Sequence, residues 1–253
     1  MSRQDTSAGL DRTAWLIGDV RLTAFTDPLA PREALAEAKP WEAVVGTPPE
    51  TAVSRMFGTE REENGPFAAG GRLTYKRTPR GVEWFLQALP DPDKPETLFG
   101  LAPTALTPFK ELMRRWLMEC PPLRRLAFGA ALYLPVEDKK EGYRQLGTYL
   151  GLHLDPDHSG DFLYQINRRR PSGCGVPGLE INRLSKWTWL QVGLRPGDGE
   201  QIWTGIRGSA CLLELDVNTA PEFPGLLPRE SLGPLFEELV ALGEEIAAQG
   251  DVP

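Results

Sequence analysis

The chain has few of the residues that hold metals, disulfides or membrane spans. It contains only two histidines and three cysteines among 253 residues, and its apolar runs are a few residues long. The cysteines, Cys120, Cys174 and Cys211, are odd in number and form no Cys-x-x-Cys pair, which argues against a disulfide framework and a zinc knuckle. A membrane-spanning helix needs about 20 consecutive apolar residues. The sequence therefore predicts no membrane association, and the polar residues 1–7 predict a cytoplasmic protein without a secretory signal.

The composition is that of a globular protein. Hydrophobic residues make up 41% of the chain and the net charge is −7, which excludes a disordered tail and a fibre. A chain of this length buries roughly 70–75% of the surface that it exposes when unfolded. Cys120 and Cys211 lie in apolar segments and are predicted to be core residues, whereas the glycine loop around Cys174 is predicted to expose its thiol.

Hydrophobic periodicity predicts strands and helices in two similar blocks. The first block has predicted strands at 15–25, 72–76 and 82–89 and a short predicted helix at 31–38. A further helix is predicted to begin with Thr107 as its N-cap and Pro108 as its first residue, and its Phe109, Leu112 and Trp116 then share one face. The second block has predicted strands at 126–134, 162–167, 179–192 (with a break) and 211–217, and predicted helices at 138–150 and 234–248.

This order predicts the α+β class, with two tandem split-βαβ (ferredoxin-like) halves, mainly antiparallel sheets and a C-terminal amphipathic helix. The halves are residues 1–120 and 121–253. One mixed α+β domain is the alternative. Segments 125–129 (RLAFG), 178–184 (GLEINRL) and 213–217 (LELDV) give the chain an order of elements that resembles a sporadically distributed family of uncharacterised bacterial two-half α+β proteins. That resemblance implies a stand-alone or operon-encoded accessory protein and carries no site residue.

Charge is unevenly distributed along the chain. Residues 211–253 contain nine acids and one arginine, hence −8, which leaves about +1 of the total −7 for residues 1–210. Basic residues gather at 72–80, 110–125 and 168–186, so the middle of the chain is locally basic. Two interpretations remain open: internal charge balance between these regions, or a surface with one side that attracts anions. Glu214 and Asp216 alternate on one face of a predicted strand and receive no role.

The segment 153–161 combines both histidines with three aspartates. His153, Asp155, Asp157 and His158 are the predicted ligands of a metal ion, because imidazole and carboxylate together suit zinc, manganese or iron. A metal-dependent hydrolase centred on them is one functional hypothesis. The spacing matches no standard metal motif, and Asp-Pro-Asp followed by Ser-Gly is also typical of an exposed turn.

The segment 164–189 interleaves cations, amides and aromatic rings, the residue types that hold phosphates and stack bases. It predicts a nucleic-acid or anion site, although three consecutive arginines cannot share one strand face and the tryptophans also fit a core. The predicted site residues are Arg168, Arg169, Arg170, Arg183, Lys186 and Trp187.

Standard catalytic motifs are absent from the sequence. It contains no G-x-x-x-x-G-K-[ST], no G-x-S-x-G and no H-E-x-x-H, so we predict no catalytic residue and no cofactor. The first functional hypothesis is a non-enzymatic interaction protein, an accessory subunit of a larger bacterial assembly with one or more protein partners. Nucleic-acid binding and the metal-dependent hydrolase are the alternatives.

Overall fold

The computed structural model describes residues 15–27, 39–56, 60–67, 71–88, 102–192 and 208–251. Within these residues, nine strands pair in one antiparallel sheet: β1 (Leu16–Thr26), β2 (Thr51–Arg55), β3 (Glu60–Phe67), β4 (Gly71–Thr78), β5 (Gly81–Ala88), β6 (Leu123–Val136), β7 (Leu163–Pro171), β8 (Glu180–Val192) and β9 (Gly208–Thr219). The same residues form four α-helices: α1 (Pro40–Val45), α2 (Ala102–Glu119), α3 (Lys139–Leu150) and α4 (Leu232–Gln249).

The strands follow the order β2-β3-β4-β5-β1-β6-β9-β8-β7. Strands β1 and β6, one from each predicted half, pair from Leu16 opposite Tyr133 to Thr26 opposite Leu123. The α+β class, the antiparallel pairing and the C-terminal helix are confirmed. Two ferredoxin-like halves are not confirmed, because β1 joins β5 on one side and β6 on the other in a continuous sheet.

One side of the sheet carries the core. Trp84, Leu22, Phe128 and Val217 lie side by side across β5, β1, β6 and β9, and all are buried. Helix α2 packs on β1, α3 on β8 and β9, and α4 on β6, β8 and β9. In β1, β4, β5 and β9 buried residues largely alternate with more accessible ones, and the described helices cover the buried side. We call the other side of the sheet the open face.

Several element boundaries differ from the predictions. Helix α2 begins at Ala102, so Pro108 lies within it and Thr107 is not its N-cap. Strand β8 continues through the predicted break, and the predicted helix at 31–38 lies outside the described residues. Strand β3 was not predicted, because its sequence EREENGPF is charged and only Glu63 and Gly65 in it are buried. Strand β2 and helix α1 were not predicted either.

Helix α3 begins as predicted. The side chain of its N-cap, Asp138, accepts a hydrogen bond of 2.9 Å from the backbone nitrogen of Glu141. The helix approaches the sheet closely at Gly142, where an added Cβ would lie 2.4 Å from Cδ1 of Trp189. Only a residue without a side chain fits between the helix and this ring.

We expect Gly142→Ala to lower the free energy of unfolding by about 1–3 kcal/mol, because the methyl group must displace the indole of Trp189. Alanine normally stabilises a helix relative to glycine. The expected loss of stability is therefore opposite in sign to the change that helix propensity alone would give. Urea unfolding followed by circular dichroism measures the change. Gly160→Ala is the control, since nothing lies within 4 Å of an added Cβ there and its stability should stay equal or rise slightly. Equal stability of Gly142→Ala and the wild type would contradict the packing argument.

Candidate functional site

Trp187 lies in the core, not on a binding surface. Its side chain is fully buried between Trp15, with ring centroids 6.0 Å apart, and Tyr149, at 5.6 Å. The indole nitrogen donates a hydrogen bond of 3.0 Å to Ser185 Oγ, so its polar group is satisfied inside the protein. Trp187 is therefore a core residue in this structure and presents no ring on which a base could stack.

The five predicted cations are all engaged by acids of the same chain. The three consecutive arginines alternate between the two sides of the sheet, as a strand requires. Most of the acids that they meet come from the C-terminal segment. The pairs are Arg168–Asp251 (2.6 Å), Arg169–Glu222 (2.8 Å), Arg170–Glu245 (3.1 Å), Arg183–Glu245 (3.6 Å) and Lys186–Glu214 (2.5 Å). Internal charge balance therefore describes this region, and the predicted phosphate-binding set is neutralised.

Asp251 accepts more hydrogen bonds than the other acids in these pairs. It accepts two hydrogen bonds from the guanidinium of Arg168, at 2.6 and 2.8 Å, and one of 2.5 Å from the hydroxyl of Tyr164. The bonds from Arg168, and then that from Tyr164, lower the pKa of the Asp251 carboxyl. Arg183 lies deeper, at 2% exposure, and burial followed by the neighbouring charge of Arg170 lowers its pKa. These contacts fix the end of α4 against β7 and β8.

On the open face, three asparagines continue the polar network. Asn218 Oδ1 accepts from Asn182 at 3.1 Å and from Arg125 at 3.1 Å, and Asn182 Oδ1 accepts from Asn167 at 3.1 Å and from Arg169 at 2.9 Å. The side chains of four neighbouring strands are thereby linked. Arg169 is thus held by an amide and two acids, Glu222 and Glu180, of its own chain.

The four predicted metal ligands do not converge. His158 Nδ1 lies 2.7 Å from Asp155 Oδ2, and Asp155 Oδ1 accepts from the backbone nitrogens of Asp157 and His158. His153 and Asp157 are exposed. In the part of the chain that the structure describes, no three His, Cys, Asp or Glu side chains form a group able to hold a metal ion. The segment is the exposed turn of the alternative interpretation, in which Asp155 bonds to its own backbone.

The cysteines lie largely where the sequence predicted. Cys120 and Cys211 are buried, and burial raises their pKa values to about 11 and about 12. Cys174 is half-buried instead of exposed, with its sulfur 3.0 Å from Ser172 Oγ. Ser172 Oγ donates to Glu238 at 2.6 Å, and the backbone nitrogen of Gly173 donates to the same carboxylate at 2.6 Å. The glycine loop is therefore bound to α4.

A cluster of titratable groups occupies the centre of the open face. Asp19, Ala131, Glu214 and Lys186 lie in one row across β1, β6, β9 and β8. Burial, partly offset by Arg21, raises the pKa of Asp19 to about 6. Among the described residues, the Asp19 carboxylate has no hydrogen bond and no ion pair. We call Asp19 and Glu214, with the small Ala131 between them, the central acid pair.

Tyr133 lies beside this pair. Its ring packs on Gly18, where an added Cβ would lie 2.4 Å from Cε2 of the ring. Burial, followed by the negative charges of Asp19 and Glu214, raises the pKa of the Tyr133 hydroxyl. The sequence predicted neither Asp19 nor Tyr133 as a site residue. The one available signal was an aspartate inside a predicted strand, between Gly18 and Val20.

Comparison of the chain with protein-family models, with curated proteins and with solved structures finds no significant match. The predicted resemblance to bacterial two-half α+β proteins therefore stays a prediction. No helix among the described residues is long and apolar enough to cross a membrane.

Proposed function

We propose that this protein is a non-enzymatic accessory subunit of a larger bacterial assembly, and that it docks a protein partner on its open face. The partner presents a lysine or arginine side chain to the central acid pair. The observation that carries the proposal is Asp19, a half-buried carboxylate at the centre of the open face that has no hydrogen bond or ion pair among the described residues.

A carboxylate that is partly withdrawn from water without a partner carries a cost in free energy. Several other charges of the sheet are paired across neighbouring strands or with the C-terminal segment, as with Lys186–Glu214 and Arg169–Glu222. Arg21 on the same strand lowers the pKa of Asp19 but does not outweigh its burial. A cation supplied by a partner would provide the missing counter-charge, because charged groups at an interface are arranged in complementary pairs.

The same observations favour a protein over a nucleic acid. The cations of the predicted phosphate site are already paired with acids of the chain, and the centre of the open face is acidic. A polyanion on this face would place phosphates beside Asp19 and Glu214, which opposes binding.

We expect Asp19→Asn to stabilise the isolated protein while weakening partner binding. The folded-state pKa of about 6 lies above the ordinary value of 3.8, so the ionised carboxylate destabilises the fold at neutral pH. The free energy of unfolding therefore rises as the pH falls from about 7 towards 4 and Asp19 becomes protonated. Asp19→Asn should remove this pH dependence and raise the free energy of unfolding at pH 7 by about 1–2 kcal/mol. Urea unfolding at a series of pH values measures both effects. A loss of stability in Asp19→Asn would contradict the claim that the ionised Asp19 carboxylate destabilises the isolated protein.

Lysine cross-linking in cells tests the docking. Lys76 and Lys186 lie on the open face, whereas Lys140 is on α3. We expect mass spectrometry to find cross-links from Lys76 and Lys186 to basic segments of one protein, and Asp19→Asn to reduce them. Asp157→Asn, in the exposed 153–161 turn, is the matched control and should leave them unchanged. Cross-links that come only from Lys140, or tight binding of oligonucleotides at low salt, would overturn the proposal.

A further inference from the structure

The two edges of the sheet differ in their protection against pairing. The edge strand β7 ends in Arg168, Arg169, Arg170 and Pro171, and consecutive charges with a proline discourage the addition of another strand. The opposite edge strand, β2, contains no proline and one charge, Arg55. All five of its residues are exposed, and no described strand pairs with its outer side. Strand β2 is therefore the unprotected edge.

Apolar side chains are exposed at this edge. Val53, at the middle of β2, is 46% exposed, and Met56, directly after it, is 68% exposed. Val53 lies on the open-face side, because it pairs with Glu62, which in turn pairs with Lys76. A further strand would cover Val53 and would satisfy the outer backbone groups of β2.

We propose that β2 pairs with β2 of a second copy of this chain, so that two sheets join across a two-fold axis at Val53. Two identical edges related by a two-fold axis perpendicular to the sheet are necessarily antiparallel, which is the pairing of every strand in this sheet. In this register Val53 lies opposite Val53, and Arg55 lies opposite Thr51 of the second copy. This proposal does not depend on docking at the open face.

The charges around the edge are complementary in that register. Glu50 precedes Thr51, is 54% exposed, and reaches the open face, where it contacts Arg72 at 2.9 Å. Each Arg55 therefore comes next to Glu50 of the second copy, and the two-fold axis forms this pair twice. No like charges lie directly opposite each other, as favourable cross-strand pairing requires.

The edge is short, so the dimer is weak. A stable interface buries about 800 Å² on each partner, and pairing of five-residue strands buries less. We expect a dissociation constant on the order of 10–100 μM, measured by sedimentation equilibrium over a concentration series. A chain that remains monomeric up to about 1 mM overturns the proposal.

Substitutions at Val53 test the register. Val53→Lys places two positive charges on the axis and should weaken the dimer by more than about tenfold, whereas Leu163→Lys on the other edge should leave it unchanged. Both residues are exposed, at 46% and 62%, so both variants should fold, which circular dichroism checks. A dimer equally strong in Val53→Lys would show that another surface forms it.

A cross-link gives a positive signal for the same register. In a Cys174→Ser background, Val53→Cys should form a disulfide between two copies on mild oxidation, because residues directly opposite each other in a sheet lie within disulfide distance. Leu163→Cys in the same background is the matched control and should form no disulfide between copies, since its edge does not take part in the pairing. Cross-linking of Leu163→Cys instead of Val53→Cys would overturn the assignment of the edge.

Discussion

Replacing Trp187 by alanine should lower the free energy of unfolding by about 3–5 kcal/mol, the largest single-residue effect that we expect in this protein. The side chain is fully buried, and it packs between the rings of Trp15 and Tyr149. Its removal leaves a cavity at the junction of β8, α3 and the start of β1. The loss combines the transfer free energy of the indole with the cost of that cavity.

Urea unfolding followed by circular dichroism at 222 nm measures this change without relying on tryptophan fluorescence. Leu163→Ala is the control, since Leu163 is 62% exposed on the neighbouring strand β7 and should change stability by less than about 0.5 kcal/mol. If the two variants unfold at the same urea concentration, Trp187 is not a core residue. The prediction that the 164–189 segment forms a binding surface would then be favoured again.

Glu245→Gln should lower the free energy of unfolding by about 1–3 kcal/mol. Glu245 contacts Arg170 at 3.1 Å and Arg183 at 3.6 Å, and the Arg183 side chain is 1% exposed. Removing one partner of a buried ion pair leaves a charge that water cannot reach, at a cost of about 3–5 kcal/mol. The loss expected for Glu245→Gln is smaller than this cost, because Glu245 itself is 26% exposed and solvent screens part of its interaction with Arg183.

The next residue along α4 provides a matched control. Glu244 is exposed and has no ion pair among the described residues, so Glu244→Gln should change stability by less than about 0.5 kcal/mol. If the buried charge of Arg183 causes the loss, Arg183→Met should recover stability in the Glu245→Gln background, because methionine fills a similar volume without a charge. A double variant less stable than Glu245→Gln would place the cause elsewhere.

Local periodicity predicted much of the secondary structure. In α4, Leu235, Phe236, Leu239 and Val240 recur at helical spacing, and all of them are buried against the sheet. Strands β4 and β5 and helix α3 were also predicted, within a few residues of their observed bounds. These features depend on neighbours a few residues away, which the sequence displays directly.

The site could be predicted only in part. The sequence showed that Arg168, Arg169 and Arg170 alternate in direction, and the structure places them so. It did not show which acids meet them, because Asp251 lies 83 residues from Arg168 and Glu245 lies 75 residues from Arg170. The same is true of Asp19, because strand pairing places it opposite Ala131 of β6 and near the Tyr133 hydroxyl. No local pattern encodes such contacts.

The sequence by itself determined which residues of most strands and helices are apolar, and hence which side of each element is buried. The tertiary structure decided that β1 and β6 pair, which makes one sheet from two blocks, and that the acidic C-terminal segment lies against the basic strands. The physical reason is range. Apolar burial follows a period of two or 3.6 residues, whereas strand pairing and charge neutralisation join residues that are far apart in the chain.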